Sequence, residues 1–198
     1  MMPIGWGRTV VLAGLAAAVL FTNMADAADG AAKPAFRFRD VGYFARWSQN
    51  DQHEFTPDKQ EDLKTWTDMV TLNGYRDVRE GEALAAKANA VLENYKRAGA
   101  IVLRTDSVPA KGDRPAEHLI AVVFGRPTFI EAAFARIRLV DGQGCSAVYS
   151  HRIHGEKKGD EMSTWLRSNG PAIEKALMEA NSFPSPHSLS TDQARTKI

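Results

Sequence analysis

His151 and His154 have a spacing that could serve a metal ion, with His118, Glu117 or Glu156 to complete a ligand set. Imidazoles and carboxylates gathered that way would support metal-assisted or general-base hydrolysis. Their surroundings alternate as a strand, however, and strand residues three apart point to opposite faces. The pair fits one ion only if His154 lies beyond the strand end. Gly142-x-Gly144-x-x-Ala147 matches the glycine pattern of dinucleotide loops, which need a helix N-terminus directly afterwards. Val148-Tyr149-Ser150-His151 follows instead, so the glycines read as hairpin residues. There is no Gly-x-Ser-x-Gly elbow and no Walker loop. Glu54, Glu61, Asp62 and Asp68 surround a short predicted helix, where a solvated face accounts for them. Cys145 is the sole cysteine, no base adjoins it in sequence, and its strand-like neighbours predict a buried thiol. No catalytic residue, metal set or cofactor is assigned.

A cationic surface is the more suggestive pattern. Arg136 and Arg138 lie on one predicted strand, and Ser146, Ser150, Arg152 and His154 share a face of the next. Paired through their hairpin, the strands are expected to set these groups on one side, where an anionic ligand or an acidic partner could dock. The plain alternative is an ordinary solvent face of an antiparallel sheet.

Several elements must position these residues. Aromatic density predicts a strand over 36–47, a polar turn over 48–51, and a short strand around His53 to Phe55. Thr56-Pro57-Asp58 has the capping oxygen, first-turn proline and early acid of a helix start. A short helix is expected there, turning Leu63 and Trp66 inward and feeding a strand that ends near Gly74. Leu84, Ala85, Ala88, Val91, Leu92 and Tyr95 recur at helical period, predicting a helix over 82–99 stopped by Gly99. Strands are expected over 101–108, 119–124, 129–140 and 145–153, the last two joined by the loop 141–144. A final helical stripe from Met162 to Leu177 kinks or restarts at Gly170-Pro171. Residues 181–198, rich in Ser, Pro and Thr, are expected to form a disordered tail. This order predicts a single α+β domain over 36–180, an antiparallel β-sheet flanked by helices.

Residues 54–71, reading EFTPDKQEDLKTWTDMVT, resemble a signature of small exported bacterial proteins. In that signature a Glu-aromatic-x-Pro stretch precedes Leu-x-x-Trp-Thr-x-Met-[Val/Ile]-Thr. The layout of residues 36–180 also resembles the PsbP/Mog1 group, an antiparallel sheet sandwiched by helices. The resemblance implies that fold and an exported accessory role, since members are mostly binding or assembly factors. It brings no catalytic residues. Packing alone explains the motif through Leu63, Trp66 and the following strand; a binding role for Trp66 and Thr67 is the alternative.

The chain has 198 residues, 25 basic against 24 acidic, and a hydrophobic fraction of 44%, which together describe a globular protein with no broad cationic surface for nucleic acid. Residues 1–27 read as a cleavable secretory signal. Arg8 precedes the apolar run from Val10 to Phe21, and Ala25-Asp26-Ala27 supplies small residues at the −3 and −1 positions. That run falls short of the ~20 residues of a spanning helix, so no membrane anchor is expected after cleavage. A leader over 28–35 is expected to be mobile. The functional expectation is a periplasmic or secreted, non-enzymatic accessory protein that binds an envelope partner or a small anionic ligand. Its speculative binding residues are Arg136, Arg138, Arg152, His154 and Trp66. The alternative is a secreted hydrolase or metal-dependent enzyme using histidines and carboxylates. A third class, an envelope structural protein, would self-associate through Cys145 or an exposed aromatic patch.

Overall fold

A computed structural model describes residues 33–112 and 114–189. The expected signal peptide, most of the leader and the end of the tail lie outside the described residues. The described chain runs β1 (Phe36–Phe38), β2 (Val41–Gln49), β3 (Gln52–Pro57), β4 (Asp68–Tyr75), α1 (Gly81–Arg97), β5 (Ala100–Val108), β6 (Glu117–Gly125), β7 (Phe129–Val140), β8 (Gln143–His154) and α2 (Lys158–Glu179). Its strands form one antiparallel sheet in the order β1-β2-β3-β4-β8-β7-β6-β5. The fold is α+β, an antiparallel sheet flanked by helices. Among the described residues no helix is long and apolar enough to cross a membrane.

Each face of the sheet carries its own core. α2 lays Met162, Ile173 and Leu177 against Phe55, Val70, Leu72, Phe134 and Tyr149. On the opposite face α1 lays Leu84 and Ala88 against Ile120, Val122, Ala135 and Ile137. The helical stripe read from the sequence is thus core, and Gly99 (φ +82°) ends α1 by donating its N–H to Lys96 O. α1 packs on β5, β6 and β7. Among the described residues no helix covers the same face over β2, β3 and β4.

Four local expectations need correction. The strand expected over 36–47 is a hairpin, because Arg39 and Asp40 both adopt positive φ and turn the chain between β1 and β2. The helix expected after Thr56 does not form. The Thr56 hydroxyl is held by Arg46 Nε at 2.8 Å and donates to Gln60 O, and Lys59 has φ +62°. A loop replaces the helix, tied by Gln60 Oε1, which accepts from the backbone N–H groups of Thr67 and Asp68 at 2.8 and 2.9 Å. α2 runs unbroken past Gly170-Pro171, with Pro171 on its solvent side, where water can take up the carbonyl that proline leaves unpaired.

The fourth concerns the expected tail. Residues 181–189 are ordered against the sheet and end in a helical turn over 186–189. Phe183 and Leu189 pack on the α2-side core, and Phe183 meets Phe36 edge-on. His53 Nε2 donates to Pro186 O at 3.0 Å, anchoring the segment across β3. Two aromatic or aliphatic anchors suffice where composition alone suggested disorder.

Candidate functional site

Arg136 and Arg138 do not share a surface with Arg152 and His154. The turn between β7 and β8 has two residues, Asp141 and Gly142, so each even-numbered position of β7 faces an odd-numbered one of β8. Arg136 lies opposite Ala147 and Arg138 opposite Cys145, on the α2 face; Arg152 lies opposite Glu131 and His154 opposite Phe129, on the α1 face. The expected common cationic surface is therefore split between two faces. A period of two allows no other result with an even-numbered loop.

On the α2 face the chemistry is spent internally. Arg136, 3% exposed, forks onto Glu117 through Nε and Nη2 at 2.8 and 3.0 Å. Its Nη1 donates to Leu177 O and Ala180 O at 3.0 and 2.7 Å, closing the open carbonyls at the end of α2. Arg138 reaches Asn181 Oδ1 at 3.4 Å; burial, and then the Arg136 charge, press its basicity below the usual guanidinium range. Between these arginines, Cys145, Phe183 and Pro184 lies a cavity of about 20 Å³, space for a water rather than a ligand. The Cys145 thiol is buried as expected, and burial pushes its pKa up to about 11.

On the other face Trp66, Arg152 and His154 do come together. The Arg152 guanidinium carbon sits 3.8 Å from the Trp66 ring centroid and 4.1 Å from that of Phe129. Its Nε donates to Glu131 Oε2 at 2.8 Å. His154 donates from Nε2 to Trp66 O at 3.3 Å, and its ring lies 5.7 Å from Phe129. Arg152 N also donates to Thr67 O at 2.7 Å, fastening the loop that carries Trp66 to the end of β8. Glu54 stands nearby: burial pushes its carboxyl up, against a hydrogen bond from Gln52 and the charge of Arg152. Phe129 and Glu131 were not singled out from the sequence, and Glu54, read there as part of a solvated face, is partly buried. β7 pairing, at positions opposite His154 and Arg152, is the signal that finds Phe129 and Glu131.

A second cluster occupies the α2 side of the same sheet end. Asp68 Oδ1 accepts from Tyr149 Oη at 2.6 Å and from His151 Nδ1 at 2.9 Å, while Thr67 Oγ1 donates to Oδ2 at 3.0 Å. Burial pushes the Asp68 carboxyl up, but these three donors outweigh it and hold the group below the ordinary carboxylate range. The His151 ring stacks on Trp165 with centroids 4.0 Å apart. Asp68, read from the sequence as part of a solvated helix face, is the centre of this network. Among the described residues no hydroxyl or thiol nucleophile hydrogen-bonds His151, and no three His, Cys, Asp or Glu side chains converge as a metal set. His118 is far along the sheet on β6, bonded to Ser107 Oγ at 2.9 Å. The glycines of the dinucleotide-like pattern serve the hairpin: Gly142 has φ +71°, and a Cβ on Gly144 would lie 2.6 Å from Val78.

No family model and no curated protein matches the sequence. Among solved structures, the Ran-binding protein Mog1p of Saccharomyces cerevisiae is similar at 14% identity, covering 69% of this chain and 82% of its own, with a TM-score of 0.42. Human STARD10 covers 69% and 73% at 11% identity and a TM-score of 0.29. A thioesterase family protein from Silicibacter pomeroyi covers 48% and 83% at 14% identity and a TM-score of 0.20. None of the three carries a function to this chain.

Proposed function

We propose that this chain is an exported, non-enzymatic accessory protein that binds a partner protein in the cell envelope. Its docking corner is where Trp66, Phe129, Arg152 and His154 meet. The observation that carries the reading is the double stacking of Arg152 between Trp66 and Phe129, completed by Glu131. A guanidinium fixed this way loses little freedom on docking; Trp66, 3% exposed, is the platform that holds it rather than a contact surface. The apolar run and small-residue site over residues 10–27 support export. Arg136 and Arg138 contribute to the scaffold in this reading rather than to the partner.

A photo-crosslinking residue at His154, with a control at Lys175 on the exposed side of α2, tests it in cells. One dominant envelope protein captured from His154 and not from Lys175 is the expected result. Capture of nothing, or of the same proteins from both positions, refutes it. The Asp68–His151 pair favours a second reading, hydrolysis with His151 as general base. That reading requires turnover on ester or amide substrates that is abolished in His151→Gln.

A further inference from the structure

The two edges of the sheet are finished differently. β1 has three residues, and Ser182 of the C-terminal segment donates to its Arg37 carbonyl at 3.0 Å. β5 has nine, and among the described residues nothing pairs with its outer side. It also concentrates exposed apolar surface: Ile101, Val102 and Leu103 are 67%, 36% and 46% exposed. A bare edge of this length is a template for another strand.

The sequence of that edge identifies the strand. Arg104-Thr105-Asp106, at its centre, is complementary to itself about Thr105. In an antiparallel pair of two copies centred on Thr105, Arg104 faces Asp106 twice and Thr105 faces Thr105, while the bulge at Leu103 takes Val102 out of the regular register. Opposite-charge and Thr–Thr pairs are each favourable directly across strands. Moving the centre one residue toward either end sets Arg104 against Arg104 or Asp106 against Asp106. The register is thus selected by charge. Within one chain Arg104 already holds Asp106 at 2.6 Å and Glu174 at 3.2 Å, so the guanidinium and carboxylate exchange like partners on pairing.

We infer that two copies of this chain associate through β5, in antiparallel register about Thr105, extending the sheet across a twofold axis. The bulge between Val102 and Arg104 bends the strand and confines regular pairing to a few residues. The association is therefore weak and concentration-dependent. It involves the sheet edge remote from the Trp66–Arg152 corner and stands independently of the envelope partner.

Sedimentation velocity of the purified chain over a concentration series is the test, with thermal unfolding as a check on each variant. The wild type is expected to shift from monomer to dimer. Arg104→Asp places like charges opposite each other and weakens the dimer about tenfold or more, and adding Asp106→Arg restores it. In Thr105→Cys the new thiol faces its own copy at a spacing a disulfide can bridge, while Cys145 stays buried, so mild oxidation gives a covalent dimer. A wild type that is monomeric throughout, a dimer indifferent to Arg104→Asp, or no covalent dimer from Thr105→Cys overturns the inference.

Discussion

Arg136 and Arg152 stand on neighbouring strands of one hairpin, each carboxylate-paired, and they do opposite work. Arg136 is sealed on the α2 face, where it joins three elements: Glu117 on β6, its own strand, and the carbonyls ending α2. Arg152 sits on the face that α1 leaves bare over β4, held by rings that do not close over it completely. A buried arginine must have every donor matched; an arginine at a boundary can be held by stacking and stay addressable. Residue type alone does not separate these roles. The helix above each face does.

Removing the sealed arginine has the largest expected effect. Arg136→Ala leaves Glu117 buried beside a distant Arg114 at 3.8 Å and opens the end of α2, costing about 3–5 kcal/mol in denaturant unfolding. The double variant Arg136→Met/Glu117→Leu is expected to recover part of that loss, because a well-packed apolar pair replaces two buried charges. Recovery stays partial, since Ala180 O still loses the Arg136 donor and Leu177 O keeps only the Ala180 N–H. A double variant as unstable as the single one would mean that capping α2, not the ion pair, is the main contribution.

Asp68 gathers three donors on the α2 face at the start of β4, and its loss is the next largest. Asp68→Asn keeps the shape but weakens the bonds from Tyr149, His151 and Thr67, for about 1–3 kcal/mol. The sign of the pH effect follows from the direction of its shift. A carboxyl held lower in the folded than in the unfolded chain adds stability that is complete above the ordinary range near 3.9 and lost as pH falls through the folded value. Unfolding measured between pH 7 and pH 2 is expected to show that acid-side loss, reduced in Asp68→Asn. An unchanged profile would remove Asp68 from the acid response.

What the sequence made legible was local. The helical stripe from Leu84 to Tyr95 and the glycine hairpin depend on neighbours within about a dozen positions, whereas Trp66, expected to turn inward on a helix that does not form, is held by Arg152 and His154 of β8. Thr56-Pro57-Asp58 misled because the same three residues can start a helix or end a strand, and a distant arginine, Arg46, decided between them. Asp68 and His151 are separated by 83 positions and meet only through β4–β8 pairing, which no local pattern announces. The placement of the arginines was legible in principle. An even-numbered loop between β7 and β8 forces Arg136 and Arg152 onto opposite faces.

The smallest expected effect sharpens the comparison most, because it separates holding Arg152 from using it. Arg152→Lys keeps a positive charge within reach of Glu131 but loses the flat stack on Trp66 and Phe129, at a cost of about 1 kcal/mol. His154→Ala removes an exposed ring with one 3.3 Å bond and should leave stability within about 0.5 kcal/mol. If the corner serves a partner, both variants lose capture of it in cells, although only one is measurably less stable. If it serves folding alone, capture follows stability, and His154→Ala behaves as the wild type. A sealed arginine cannot show that separation, since any variant of Arg136 that disturbs function disturbs the fold first.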